Sequence, residues 1–336
     1  MTLEPITPDR AVKLYLQDRE NELAHSTHKS HRSRLSYFTD WCEQEGIENL
    51  NTITGRQLYE YRIWRRNDGD LVPVSEKGQM VTLRVFIRWA ESIEAVDQDL
   101  HTKVQIPSLA HNEGVDDAIL DVEQARSILD YLQTFEYASR RHVVFALLWH
   151  TMCRRSSVRA LDVTDYNPDE QYLEVIHRPD TGTPLKNQGR GERYIALSEQ
   201  MCELLDDWIE TTRDDVVDDV GRHPLIATAQ GRIHQTTVQN YVYCLTRPCE
   251  IAGDCPHDRD VETCEATEWQ HPSKCPSSVS PHAVRRGAIT HALSTGTPQQ
   301  VVSDRANVST AVLDKHYDAR SKREKMESRR EFVDSV

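Results

Sequence analysis

The chain has 336 residues, which at about 100–200 residues per domain predicts two domains. Apolar residues make up 38% and charged residues 28%, and acids outnumber bases 54 to 40 for a net charge of −14, which excludes a uniformly basic nucleic-acid binder. No run approaches the roughly 18 apolar residues of a membrane span, and the start MTLEPITPDR lacks the basic and apolar segments of a secretory signal, so a cytoplasmic chain without membrane partners is expected.

Only nine of the 40 basic residues are lysine. An acid-rich, lysine-poor exterior suits concentrated salt, where the screening length falls to about 3 Å at 1 M, and it predicts a halophilic source. Eight cysteines in a chain neither small nor evidently secreted do not read as a disulfide framework.

In chain order, the first hundred residues read as amphipathic helices. Ser26-Thr27 is placed to cap one in which Leu35, Phe38, Trp41 and Cys42 share a face. Thr54 precedes a second, with Leu58, Tyr61 and Trp64 at helical spacing, and Ser75 a third, with Met80, Leu83, Phe86, Ile87, Ala90 and Ile93 in a wide stripe. These aromatics are expected in a core. Residues 107–118 are polar, contain Pro and Gly and lack periodicity, so the domain linker belongs there. Asp121 with Gln124 forms a capping-box pattern ahead of Ala125, Ile128, Leu129 and Leu132, and residues 142–152 read as a buried helix. Residues 172–177 and 192–197 are strand-like runs joined by the turn-rich TGTPLKNQGRG. Helices return from Ser198. The fold class is mainly α with a small β-sheet.

Charge is unevenly distributed. Residues 199–219 carry nine acids and one base, as a solvated outer helix would. Acid-free stretches surround Lys29, Arg32 and Arg34, then Lys77, Arg84 and Arg88, and finally Lys274, His282, Arg285 and Arg286. Basic faces on an acidic body fit a polyanion binder that must also stay soluble, which makes double-stranded DNA the expected partner.

Four segments carry the candidate chemistry. Thr151-Met152-Cys153-Arg154 follows the buried helix, and Lys186 sits in the turn between the strands. His282-Ala283-Val284-Arg285 places His and Arg on adjacent turns of one helix face, and His316-Tyr317 comes 32 residues after Arg285. An Arg, a Lys, a His-x-x-Arg pair and a late Tyr in this order resemble the tyrosine recombinase (phage integrase) family. The resemblance covers nearly the whole chain. It implies a helical, SAM-like core-binding domain over 1–112 and an α+β catalytic domain over 116–336. It assigns Arg154, Lys186, His282 and Arg285 to catalysis and Tyr317 as the nucleophile. It further implies site-specific strand exchange in a tetrameric synapse, without a catalytic cofactor.

Departures are specific. The family has Gly and Glu where this chain has Met152 and Ser157, and its His or Trp before the nucleophile is missing, with Asn307 the nearest polar candidate. These departures motivate an alternative: a DNA-binding relative with impaired catalysis. Type IB topoisomerase-like relaxation is a second alternative.

Independent chemistry supports the assignment. Attack on a phosphodiester adds charge to the non-bridging oxygens, and two flat, permanently charged guanidinium groups match those oxygens.

Cys249, Cys255, Cys264 and Cys275 fall in a Pro- and Asp-rich insertion at about 249–275, beside His257 and His271. Four thiolates within this loop predict a structural zinc, with His257 as a substitute ligand, while free thiols or disulfides remain open. The resemblance does not supply this metal.

Overall fold

The computed structural model describes residues 3–109, 118–317, 320–327 and 330. The chain divides into two compact units, residues 1–116 and 117–336. Most of the expected linker, 110–117, lies outside the described residues.

The first unit is helical. Helix α1 (Pro8–Asp18) starts at a proline whose ring pre-sets the helical φ, and Thr7 caps it by accepting from the Arg10 amide. Helix α2 (His25–Gln44) begins two residues earlier than a cap at Ser26 would set it, with Ala24 at the N-cap and no side-chain cap. Helix α3 (Gly55–Asp68) carries the expected Thr54 cap as a full capping box with Gln57. Helix α4 (Pro73–Ser92) starts at Pro73 rather than after Ser75, because proline tolerates the first turn, where the amide has no helical acceptor. The helices bury the expected Phe38, Trp41, Tyr61 and Phe86, together with Tyr15, which the sequence did not single out, while Ile93 at the end of the expected stripe is exposed. Phe38 meets Tyr61 edge to face at 5.2 Å between centroids, a favoured packing of two ring quadrupoles.

The second unit opens with α5 (Val122–Phe135), α6 (Arg140–Thr151) and α7 (Arg155–Ala160). Asp121 caps α5 through the Glu123 amide, while Gln124 donates instead to the Thr246 carbonyl at 3.2 Å, so the expected box does not form. Strands β1 (Tyr166–Asn167), β2 (Tyr172–Val175) and β3 (Arg193–Ala196) make an antiparallel sheet with β2 central. Leu173 pairs with Ile195 on its buried face. Helix α8 (Glu199–Asp207) follows, then a hairpin the sequence did not signal, β4 (Ala227–Thr228) with β5 (Gly231–Arg232). Helices α9 (Gln235–Leu245), α10 (Pro248–Ala252), α11 (Pro281–Ser294) and α12 (Gln299–Ala306) come next. The short α13 (Thr310–Val312) runs into a wide helical turn, Leu313–Tyr317.

The connection between β2 and β3 is anchored by buried ion pairs. Asp162, Asp165 and Asp218 meet Arg178, Arg222 and Arg232, with Arg178 bound through both nitrogens to Asp165. Arg222 also donates to Thr181 and Thr183 at the start of that connection. Such bidentate, desolvated pairs fix geometry more than they add stability. Among the described residues no helix is long and apolar enough to cross a membrane.

His142, only 3% exposed in α6, has its pKa pushed down by burial to about 4. The folded state thus binds fewer protons than the unfolded state between that value and about 6.5, so stability is lost as pH falls across this window. His142→Phe should remove about 2–3 kcal/mol of the stability lost between pH 7 and pH 4.5. Denaturant titrations of the full chain at the two pH values measure it; an unchanged loss means that His142 is not buried as the neutral ring.

Candidate active site

Helix α6 ends at Met152, which adopts a left-handed conformation with φ +55°. Helix α12 ends the same way at Asn307, with φ +50°. These two helix ends point carbonyls at one cation. Arg285, only 1% exposed, donates through Nη1 to the Met152 carbonyl and through Nη2 to the Ala306 carbonyl at 2.8 Å. C-terminal helical carbonyls are the negative ends of their dipoles and lack intrahelical partners, so they are suited to hold a buried guanidinium. Burial, then the neighbouring Arg154 charge, lowers the Arg285 pKa to about 10, and Tyr317 opposes that shift through charge and a side-chain hydrogen bond. The guanidinium remains the cation at neutral pH.

The other candidate residues close around this centre. Arg154 occupies the N-cap position of α7 without a side-chain cap and donates to the Asn307 carbonyl at 3.3 Å. Tyr317 is 6% exposed, its ring centroid 5.5 Å from the Arg285 guanidinium carbon and 5.4 Å from the His282 ring. The Tyr317 carbonyl accepts from Thr290 at 2.7 Å, tying the wide turn to α11. The side chain of His316 lies outside the described residues. The structure therefore gathers Arg154, His282, Arg285 and Tyr317. Lys186 is not in that group: it is exposed in the β2–β3 connection, and its neighbour Asn187 donates to the Asn307 side chain.

Several contributors carried no sequence signal. Arg193 reaches the Arg305 carbonyl at 2.8 Å and the Cys153 sulfur at 3.0 Å, and Arg305 reaches the His150 and Ala196 carbonyls at 2.9 and 2.8 Å. The pair bolts β3 to α12 and to the end of α6. Gly287 lets α11 approach closely, since a Cβ there would lie 2.2 Å from the Leu120 carbonyl oxygen.

The expected surface contacts divide. Lys29, Arg32 and Arg88 are exposed. Arg34 is used between helices, donating to the Gly78 carbonyl and Thr82 hydroxyl at 3.2 and 3.0 Å, and Arg84 donates to the Val104 carbonyl. Lys77 is half-buried. Arg286 is 7% exposed and faces the Ala118 carbonyl at 3.5 Å, an internal placement rather than a surface one.

The zinc expectation is not supported. Among the described residues no group of three or more His, Cys, Asp or Glu side chains is arranged to hold a metal ion, and Cys249, Cys255, Cys264 and Cys275 are free. His257 bonds Ser277 at 2.9 Å instead. Polar side chains and an aromatic contact staple the insertion: Arg247 joins Glu250 to the Ala266 carbonyl, Ser278 bonds the Tyr243 carbonyl, and Trp269 packs on Tyr241.

Against known proteins, the model of the phage integrase family matches residues 118–322, more than half of the chain and all of the site just described. The chain belongs to the phage integrase family. The family's tyrosine recombinases are DNA strand transferases. Tyrosine recombinase XerD of Bifidobacterium longum is 22% identical over 59% of this chain, and the match spans 61% of that relative. Tyrosine recombinase XerD of Vibrio cholerae is 22% identical over 89% of this chain and 88% of its own length. The Tn1549 transposon integrase, solved in complex with a circular intermediate DNA, shares the fold with a TM-score of 0.66 at 15% identity, covering 96% of this chain and 99% of that one.

The departure from the family's glycine now has a physical account. Position 152 needs the left-handed conformation that glycine adopts freely and that costs other residues about 1–2 kcal/mol. Met152 accepts that strain, but its side chain is 8% exposed and packs in the cluster that holds Tyr317. Removing a buried Met side chain costs about 2–5 kcal/mol, more than the strain released. Met152→Gly should therefore destabilise the chain by about 1–3 kcal/mol in equilibrium unfolding. A stabilised variant would show that strain outweighs packing here.

Proposed function

We propose that this chain is a site-specific DNA recombinase that cleaves and rejoins strands through a covalent 3′-phosphotyrosine. The observation that carries the proposal is the buried Arg285 guanidinium held beside Arg154 and the Tyr317 ring. In the proposed reaction the Tyr317 oxygen attacks the scissile phosphorus, forming one P–O bond while the bond to the 5′ oxygen breaks. The phenol gives up its proton as it attacks, with His282 as acceptor and the two cations favouring the developing charge. Arg154 and Arg285 meet the non-bridging oxygens, pre-placed donors of a kind commonly contributing about 2.7–4 kcal/mol each. Lys186 protonates the departing 5′ oxygen. The tyrosyl phosphodiester keeps the energy of the broken bond, so a 5′ hydroxyl from another strand reverses the step. Neither a nucleotide nor a catalytic metal enters this scheme.

The integrases of like fold that were solved in complex with DNA support DNA as the partner; that it is duplex DNA, met in the cytoplasm, is part of the proposal. Four protomers pairing two duplexes in a synapse is the assembly we propose. Lys29, Arg32 and Arg88 in the helical first unit are assigned to phosphates, setting affinity and register rather than sequence preference.

Tyr317→Phe should bind DNA normally yet form no adduct on a nicked substrate that traps the covalent intermediate. Because Phe keeps the ring's packing, an adduct from this variant would overturn the nucleophile assignment. A wild-type chain that forms no adduct, at low and at molar salt, would favour the reading as an impaired DNA-binding relative.

Reversal of Lys29, Arg32 and Arg88 to Glu should weaken binding to all sequences and reduce the salt slope by about 0.9 for each phosphate no longer neutralised. Affinity measured against salt concentration reads both effects. Unchanged affinity and slope would remove the first unit from the DNA interface.

A further inference from the structure

The family's His or Trp, expected about nine residues before Tyr317, is missing here, and Asn307 is the nearest polar candidate; both ends of its side-chain amide are already engaged. Its Nδ2 donates to the Arg190 carbonyl at 2.7 Å, and its Oδ1 accepts from Asn187 Nδ2. A carbonyl only accepts, so the bond to Arg190 fixes which end of the amide faces which partner. Both partners belong to the β2–β3 connection, and Asn187 adjoins Lys186. The Asn307 carbonyl meanwhile accepts from Arg154. The residue sits at φ +50°, a conformation that Asn tolerates better than most side chains. Trp at this position would have one donor and no acceptor for Asn187.

We propose that Asn307 is a positioning residue that latches the Lys186 hairpin to the end of α12, and not a ligand of the scissile phosphate. The inference rests on the reading of Lys186 as general acid and deepens it. The hairpin needs such a latch. Its far end is held by the Arg178 and Arg222 ion pairs, and Leu185 is fixed by its amide bond to His177 Nδ1 at 2.9 Å. Beyond Leu185, Lys186 is exposed on a long flexible stem, and the next anchored group is Asn187. Loss of the latch leaves Arg154, Arg285 and Tyr317 in place but lets the ammonium group wander from the leaving oxygen. Proton delivery by a positioned side chain contributes about 10²–10⁴-fold, so partial misplacement should remove part of that factor.

The test compares two nicked duplexes, one with the ordinary 5′-bridging oxygen and one with sulfur there. A thiolate is a far weaker base than an alkoxide and departs without a proton, so cleavage of the sulfur substrate does not use the general acid. The Asn307→Gly variant keeps the left-handed backbone, and Asn187→Ala cuts the same bond from an exposed turn where folding is not at stake. Single-turnover cleavage by either variant should fall about ten- to a hundredfold on the oxygen substrate and stay within about twofold of wild type on the sulfur substrate. Lys186→Ala should show the same pattern more strongly, and adding Asn307→Gly to it should slow oxygen cleavage no further. A deficit of Asn307→Gly that persists with sulfur would place Asn307 at the phosphate and overturn the latch. No deficit on the oxygen substrate in either single variant would overturn it as well. Should Lys186→Ala itself not be rescued by sulfur, the assignment of Lys186 as general acid fails, and the latch falls with it. When Lys186→Ala is rescued and Asn307→Gly is not, the latch alone fails.

Discussion

The second unit is organised around one buried cation. Arg285 is almost wholly inaccessible, and an unpaired charge in that setting would cost far more than a domain's net stability. It is tolerable because α6 and α12 each end in a left-handed residue and turn a terminal carbonyl onto the guanidinium. The requirement runs both ways. The cation needs both helix ends, and the helix ends need a donor for carbonyls that have no intrahelical partner. Arg154 repeats the device at the Asn307 carbonyl, so the two cations are set side by side despite their repulsion.

The same chemistry extends outward. Arg193 and Arg305 each bridge main-chain segments, and Arg232 joins the Arg159 and Leu161 carbonyls to Asp162 and Asp218. A guanidinium presents five donors in a rigid fork, so one side chain can tie two or three segments, which an ammonium point charge does less well. The scarcity of lysine read from the composition thus has an internal use, independent of the salt in which the chain works. It also accounts for arginines expected on the surface that serve the interior, Arg34, Arg84 and Arg286 among them.

The hairpin that carries Lys186 and the segment that carries Tyr317 are joined differently. Tyr317 is packed in an apolar cluster with Met152, Ile289 and Leu313, so its position is set by the core. Lys186 lies on an exposed connection, whose Asn187 and Arg190 are tied to Asn307 by polar contacts near the surface, where bonds exchange with water more readily. The buried centre and the exposed Lys186 arm are therefore held in one fold by different interactions.

Much was legible in the chain alone. The helices of the first unit, the buried helix α6 and the central antiparallel strands follow from apolar periodicity and caps, which are local properties. The order Arg154, Lys186, His282, Arg285, Tyr317 pointed to the family because five residue types in a fixed order, each in a fitting element, are specific where any one alone is weak. Three kinds of fact were decided only by tertiary structure. Helix starts shifted by two or three residues where Pro73 or an uncapped Ala24 competed with a nominal cap. The cysteine spacing was compatible with zinc, yet Arg247, Ser278 and Trp269 organise that loop, and a spacing pattern says nothing of such competition. Above all, which arginines face outward and which hold carbonyls together depends on where helix ends meet, and Arg154 and Asn307 meet across 153 positions of chain. No local pattern encodes that meeting, because the unsatisfied carbonyls exist only once the helices have formed and packed.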